Sequence, residues 1–230
     1  MSLWDTFNFW ESESSDEPAG FVTADMMDLN ERLSPNYFVR DLTVTNTGIY
    51  NAPPRSAQAT LQKMALMLEK IEARIGPFVI ASAYRSTQVN NAVGGSPTSR
   101  HLAGDAVDIS PTTMTAEKFW GAILLDDELS SQLGHIAWKK HQNNAIHITL
   151  PFTRSSGEYI RDVPQVADKI AGSIQYISAS PTQIQTAKNK FLGVVPSTEV
   201  VVAGFQFNPI YWGLAATAAT TLILTMLKRK

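Results

Sequence analysis

The chain has 230 residues, of which 44% are hydrophobic and 17% charged, with a formal net charge of −2 and no cysteine. That is apolar matter enough for a folded domain with flanking segments, or two small domains, and it excludes a wholly disordered chain. The missing cysteine excludes a disulfide framework, a thiolate zinc site and a cysteine nucleophile, and the near-zero charge argues against bulk nucleic-acid binding.

The charge is unevenly spread. Residues 1–31 hold eight acidic side chains and no basic one, which leaves +6 for the rest by difference, and the chain ends Lys228-Arg229-Lys230. No signal peptide is expected, because the first basic residue is Arg32 and a secretory signal needs a basic start before its apolar run. Residues 1–32 read as an acidic flexible leader. Trp4, Phe7 and Trp10 also suit a docking peptide for a virion or assembly partner.

A compact domain is expected over residues 33–152. Residues 58–75 place Leu61, Met64, Leu68, Ile71 and Ile75 at helical spacing, and Gly76-Pro77 stops that helix. Residues 78–84 are rich in strand formers, residues 86–93 suit one or two helical turns, and residues 94–100 are a loop by composition. A short buried strand follows at 106–110. Thr115 can cap a helix over 116–125, with Glu117 favourable in its first turn. Two strands are expected at 134–138 and 145–150, joined by the polar turn 139–144. Residues 164–178 can form a helix with Val166, Ile170, Ile174 and Ile177 on one side. Pro181 can open another, with Ile184, Ala187, Phe191 and Leu192 on one face before Gly193. Residues 153–208 therefore read as a helical and extended stalk or a small module. Residues 209–230 read as a membrane anchor: 210–227 carry no charge, Tyr211 and Trp212 sit at one end, and the basic triplet marks the other. The expected fold class is α+β: a small antiparallel-rich sheet with flanking helices around a metal site, then a C-terminal helical region and a transmembrane helix.

The chemistry centres on the histidines, of which there are four: His101, His135, His141 and His147. His101 closes a Gly/Ser loop, and Asp108 lies seven residues on, between Val107 and Ile109. A carboxylate in such company is costly to bury without a positive partner. His147 alternates with apolar residues on a strand. Two histidines and one carboxylate leave a fourth position open, the composition of a catalytic rather than a structural zinc site. Taken singly, each has an ordinary alternative: a hydrogen-bonded core histidine, or an aspartate that caps a turn.

A longer pattern joins these residues. Tyr84-Arg85-Ser86, Asn91, Gly94-Gly95, the string Ser99-x-His101-x-x-Gly104-x-Ala106-x-Asp108, and Ile146-His147-Ile148 together resemble the zinc D-alanyl-D-alanine carboxypeptidase and phage endolysin family of peptidoglycan peptidases, in its phage-type branch. Leu33-Ser34-Pro35-Asn36-Tyr37-Phe38 and Asn51-Ala52-Pro53 are similar to the opening of such domains. The resemblance covers about residues 33–152. It implies that His101, Asp108 and His147 hold zinc. It also implies that Arg85 faces a substrate carboxylate or the developing oxyanion, and that Ser99 binds substrate or orients its loop.

The chain departs from that family at one place. Its members carry a Glu or Asp shortly before the last histidine, as general base on the attacking water, and residues 129–146 here contain no carboxylate. His141 is then a candidate catalytic base, as is a carboxylate reaching in from Asp105, Asp126, Glu128 or Glu158. The expected function is a membrane-anchored zinc peptidase that hydrolyses a bond next to a D-amino acid in bacterial peptidoglycan. Its expected place is a virion membrane or the bacterial inner membrane, held through residues 210–227. The alternative is a catalytically weakened metal-binding module that binds the wall or builds the virion.

Overall fold

The computed structural model describes residues 25–140 and 145–194. The compact part begins earlier than the expected boundary at residue 33. Met27 is only 2% exposed and belongs to the hydrophobic core. Its N–H donates to Pro53 O at 2.9 Å, and Glu31 pairs with Arg55. The Trp4, Phe7 and Trp10 cluster lies outside the described residues.

Helix α1 (Gln58–Ile75) buries Leu61, Met64, Leu68 and Ile71 of the stripe its periodicity predicts, with Ala65 and Met67 beside them, while Ile75 is half-buried at the end. Strand β1 (Phe78–Ser82) follows, then α2 (Thr87–Ala92), β2 (Ala106–Pro111), α3 (Ala116–Leu125) and the single turn α4 (Asp127–Ser130). Strands β3 (His135–Lys139) and β4 (Ala145–Thr149) come next, then the two-residue strands β5 (Phe152–Thr153) and β6 (Tyr159–Ile160). Strands β7 (Val163–Ile170) and β8 (Ser173–Ser178) precede helix α5 (Pro181–Leu192). The Thr115 cap is the one the sequence predicts, and two other helices are capped as well. Ser86 accepts from the Val89 N–H, Thr115 from the Lys118 N–H, and Ser180 exchanges bonds with Gln183 in a capping box.

Six strands form one sheet in the order β1-β2-β4-β3-β7-β8. All neighbours are antiparallel except β3 and β7, which run parallel. The α+β expectation thus holds. One face of the sheet carries Ile109, Ile146, Ile148, Ile136 and Val166 into a core shared with α1, α3 and Ala187 of α5. The alternate residues line the opposite face, where the polar groups collect.

The helix expected over 164–178 is instead the β7–β8 hairpin. Val166, Ile170, Ile174 and Ile177 do satisfy a helical period. However, Ala171 and Gly172 sit between them at φ 49° and 84°. Two successive left-handed residues make the turn that joins twisted antiparallel strands, closed here by the Ile170–Ser173 pair. The β-branched content then suits the strands on either side.

The expected stalk is corrected with it. β7 pairs with β3 along five residues, and Ala187 is fully buried. A Cβ built on Gly121 of α3 would fall 2.2 Å from the Ala187 carbonyl oxygen, so α5 lies directly on α3. Residues 163–192 belong to the same sheet and core as the segment before them. Among the described residues no helix is long and apolar enough to cross a membrane. The stretch 210–227, on which the anchor was expected, lies outside them.

Candidate metal centre

The register of the sheet aligns the polar face. Ser82, Asp108, His147, Ala137, Gln165 and Ser178 stand side by side across all six strands. A bulge in β1, with Ala81 as the extra residue between Ile80 and Ser82, sets Ser82 opposite Asp108. Beyond it the chain leaves the sheet as Ala83-Tyr84-Arg85. Asn51, itself buried, holds this exit: its amide donates to Thr43 O and Tyr84 O at 2.9 Å each, and its oxygen accepts from the Ser86 N–H at 2.7 Å.

His101 arrives from a short 3-10 turn, Arg100–Ala103. Gly104 ends that turn at φ 74°, a conformation that suits glycine, and a Cβ there would press to 3.1 Å from Leu61. This is the physical content of the Ser-x-His-x-x-Gly spacing. The turn aims His101 inward and returns the chain at once into β2, which carries Asp108. Nδ1 of His101 donates to Ala83 O at 2.6 Å, which leaves Nε2 facing Asp108 Oδ2 at 3.6 Å. A ligating histidine is commonly held in this way, with its other nitrogen tied to a carbonyl. His147 turns Nδ1 to Asp108 Oδ1 at 2.8 Å, and the two imidazole centres lie 5.2 Å apart. One ligand atom from each of His101, Asp108 and His147 falls within 4.8 Å of the others, so the group can hold a metal ion.

The electrostatics suit ligation at His101. Burial pushes its pKa down to about 3 against the pull of Asp108, so the ring is neutral with a lone pair to offer. Burial alone would raise the Asp108 carboxyl. The hydrogen bond from His147, with the nearby imidazoles and Lys139, outweighs it and holds Asp108 well below the usual carboxylate range. The donor set of two imidazoles and one ionised carboxylate fits zinc.

Arg85 stands beside Asp108. Its Nε donates to Ser82 Oγ at 2.9 Å, and its terminal nitrogen lies 3.5 Å from Asp108 Oδ2. Ser99 stands at the start of the His101 turn, accepting from the Leu102 N–H and donating its own N–H to Ser96 O. His141 lies outside the described residues.

The alternative carboxylates are committed elsewhere. Asp105 pairs with Arg100, Asp126 and Glu128 both with Arg74, and Glu158 with Arg154. None of the four joins the His101–Asp108–His147 group.

Three neighbours escape a reading of the sequence. Lys139, 7% exposed, places Nζ 3.0 Å from Asp108 Oδ2. Its signal was its position: it falls two residues past Ala137, the partner of His147, and so on the same face of β3. Tyr176 lies across β7 from Lys139's row, its ring 5.5 Å from that of His147. Burial, then the nearby Asp108, pushes its phenol up, so the hydroxyl stays protonated and can donate. Gln165 shares the row of Asp108 and His147, and its buried Oε1 has no hydrogen-bond partner among the described residues.

No curated protein sequence matches the chain. The Peptidase M15 family model matches residues 31–149, just over half of it. The match runs from the segment packed ahead of α1 to the last residue of β4. It takes in every element that carries Arg85, Ser99, His101, Asp108 and His147, the residues on which the resemblance to zinc D-alanyl-D-alanine carboxypeptidases was drawn. The chain belongs to the Peptidase M15 family.

Proposed function

We propose that this protein is a zinc-dependent peptidase that hydrolyses a peptide bond next to a D-amino acid in bacterial peptidoglycan. The observation that carries the reading is the convergence of His101, Asp108 and His147 inside the family match. Zinc, when bound, supplies Lewis acidity to the scissile carbonyl and the attacking water. The chain's own residues bind and orient. Arg85, held by Ser82, offers a fixed fork to a substrate carboxylate or to the oxyanion that develops. Ser99, at the mouth of the His101 turn, binds substrate or fixes that loop. Tyr176 offers a hydroxyl proton, and Gln165 Oε1 an acceptor for a substrate N–H. His141 takes the proton of the attacking water and returns one to the leaving amine. Attachment to a lipid membrane through residues 210–227, in a virion or the bacterial inner membrane, belongs to the same proposal. So does contact of the acidic leader with an assembly partner. Both rest on the sequence.

Purified peptidoglycan incubated with the full-length protein tests this reading. Zinc-dependent release of new amino groups is expected, abolished by chelator and by His147→Ala. Association with the wall and no release, unchanged in His147→Ala, would replace it with a binding module. That second reading is favoured by one observation, the cationic Lys139 standing on Asp108.

A further inference from the structure

We infer that Lys139 is a built-in cation of the centre, whose hold on Asp108 competes with a metal ion for that carboxylate. The inference rests on the reading of His101, Asp108 and His147 as a metal site.

A buried carboxylate needs positive partners, and in a metal centre the ion supplies most of that charge. Asp108 already has its partners. Lys139 Nζ is 3.0 Å from Oδ2, Arg85 is 3.5 Å from the same oxygen, and His147 Nδ1 is 2.8 Å from Oδ1. Two fixed cations therefore share this one carboxylate. Lys139 cannot simply swing out to water. Its side chain is only 9% exposed, and its strand is paired on both sides, with Ala145 of β4 and Ala167 of β7 as its partners. A divalent ion held by Asp108 would have to share that carboxylate with Nζ. Like charges on one carboxylate in a dry site repel strongly. Two consequences follow. Lys139, Arg85 and His147 satisfy Asp108 by themselves, so the protein is expected to fold without added metal. The metal binds less tightly than two histidines and an aspartate ordinarily allow, because each binding event must loosen an existing ion pair.

The test is zinc affinity, read by competition with a chromophoric chelator, for the full-length protein and for Lys139→Met and Lys139→Gln. Lys139→Met keeps the length and apolar stem and removes the charge. Lys139→Gln keeps a donor for Asp108, should the methionine variant fail to fold. Both are expected to bind zinc at least tenfold more tightly than the wild type. Chelator should lower their melting temperature markedly and that of the wild type little. Equal or weaker binding in both variants would overturn the inference, and would make Lys139 a partner that orients Asp108 for the metal. The outcome separates from that of the peptidase reading. Tight zinc binding by the wild type, with zinc-dependent release of amino groups, keeps the peptidase and discards the lysine. Tight binding by the variants alone, with no hydrolysis by the wild type, does the reverse.

Discussion

Gly121→Ala makes a test in which two arguments predict opposite signs. Gly121 lies inside α3, and on helix propensity alone alanine there should stabilise the protein by about 1 kcal/mol. In the structure the new Cβ would fall 2.2 Å from Ala187 O, 2.4 Å from its carbonyl carbon and 2.9 Å from the Lys188 nitrogen. Ordinary contact begins at 3.4 Å, so the two helices must part by roughly an ångström. The obstructing atoms are backbone and cannot rotate aside. Overpacking of this kind costs about 1–3 kcal/mol, and an immovable obstacle places it at the upper end, for a net loss of about 2 kcal/mol. In a domain of this size each kcal/mol moves the melting temperature by about 2–4 °C, so a fall of about 4–8 °C is expected. Thermal and urea unfolding, followed by tryptophan fluorescence to which the buried neighbour Trp120 contributes, measures it. An unchanged or higher melting temperature would show that α5 does not rest on α3, and that residues after 153 are a separate module after all.

Three further outcomes can be checked. Asn51→Ala removes bonds to Thr43 O, Tyr84 O and the Ser86 N–H, and should cost about 2–4 kcal/mol in urea unfolding. Arg85→Lys keeps the charge but loses the fork, and should lower kcat/KM for peptidoglycan hydrolysis about 100-fold with the melting temperature nearly unchanged. His135 is pushed down to about 4 by burial, then by His147 and Arg154. Its folded value lies below the unfolded one, so its contribution is complete above about pH 6.5 and is lost as pH falls toward 4. Melting temperatures of His135→Gln should therefore fall less than those of the wild type between pH 7 and 4.5, and parallel curves would refute that assignment.

What was legible in the sequence was local. Thr115 announced its helix because a cap acts within three residues, and Pro181 announced another because its fixed φ suits a first turn. The Ser-x-His-x-x-Gly-x-Ala-x-Asp string was legible because one turn and the strand after it bring His101 to Asp108, with Gly104 supplying the left-handed corner. His147 was a candidate by its alternation and the company of His101 and Asp108, but its place beside Asp108 depends on the pairing of β2 with β4, which only the resemblance supplied. The β7–β8 hairpin was missed because its apolar residues fit a helical period by spacing, while the parallel pairing with β3 that decides the matter joins residues 28 apart in the chain. Lys139 and Tyr176 were missed for the same reason. Both belong to the site only once the register places them on the His147 face. The early start of the domain was hidden because Met27 sits among acidic residues that mark a solvated leader.

The central claim is that His101, Asp108 and His147 hold the metal. Anomalous diffraction at the zinc edge, from crystals of the full-length protein grown with zinc, tests it most directly. The expected result is one strong peak within about 2.0–2.2 Å of a nitrogen of each histidine and an oxygen of Asp108, with the Lys139 ammonium displaced from its present place. A peak elsewhere, or none at the site with Lys139 still seated on Asp108, would contradict the account.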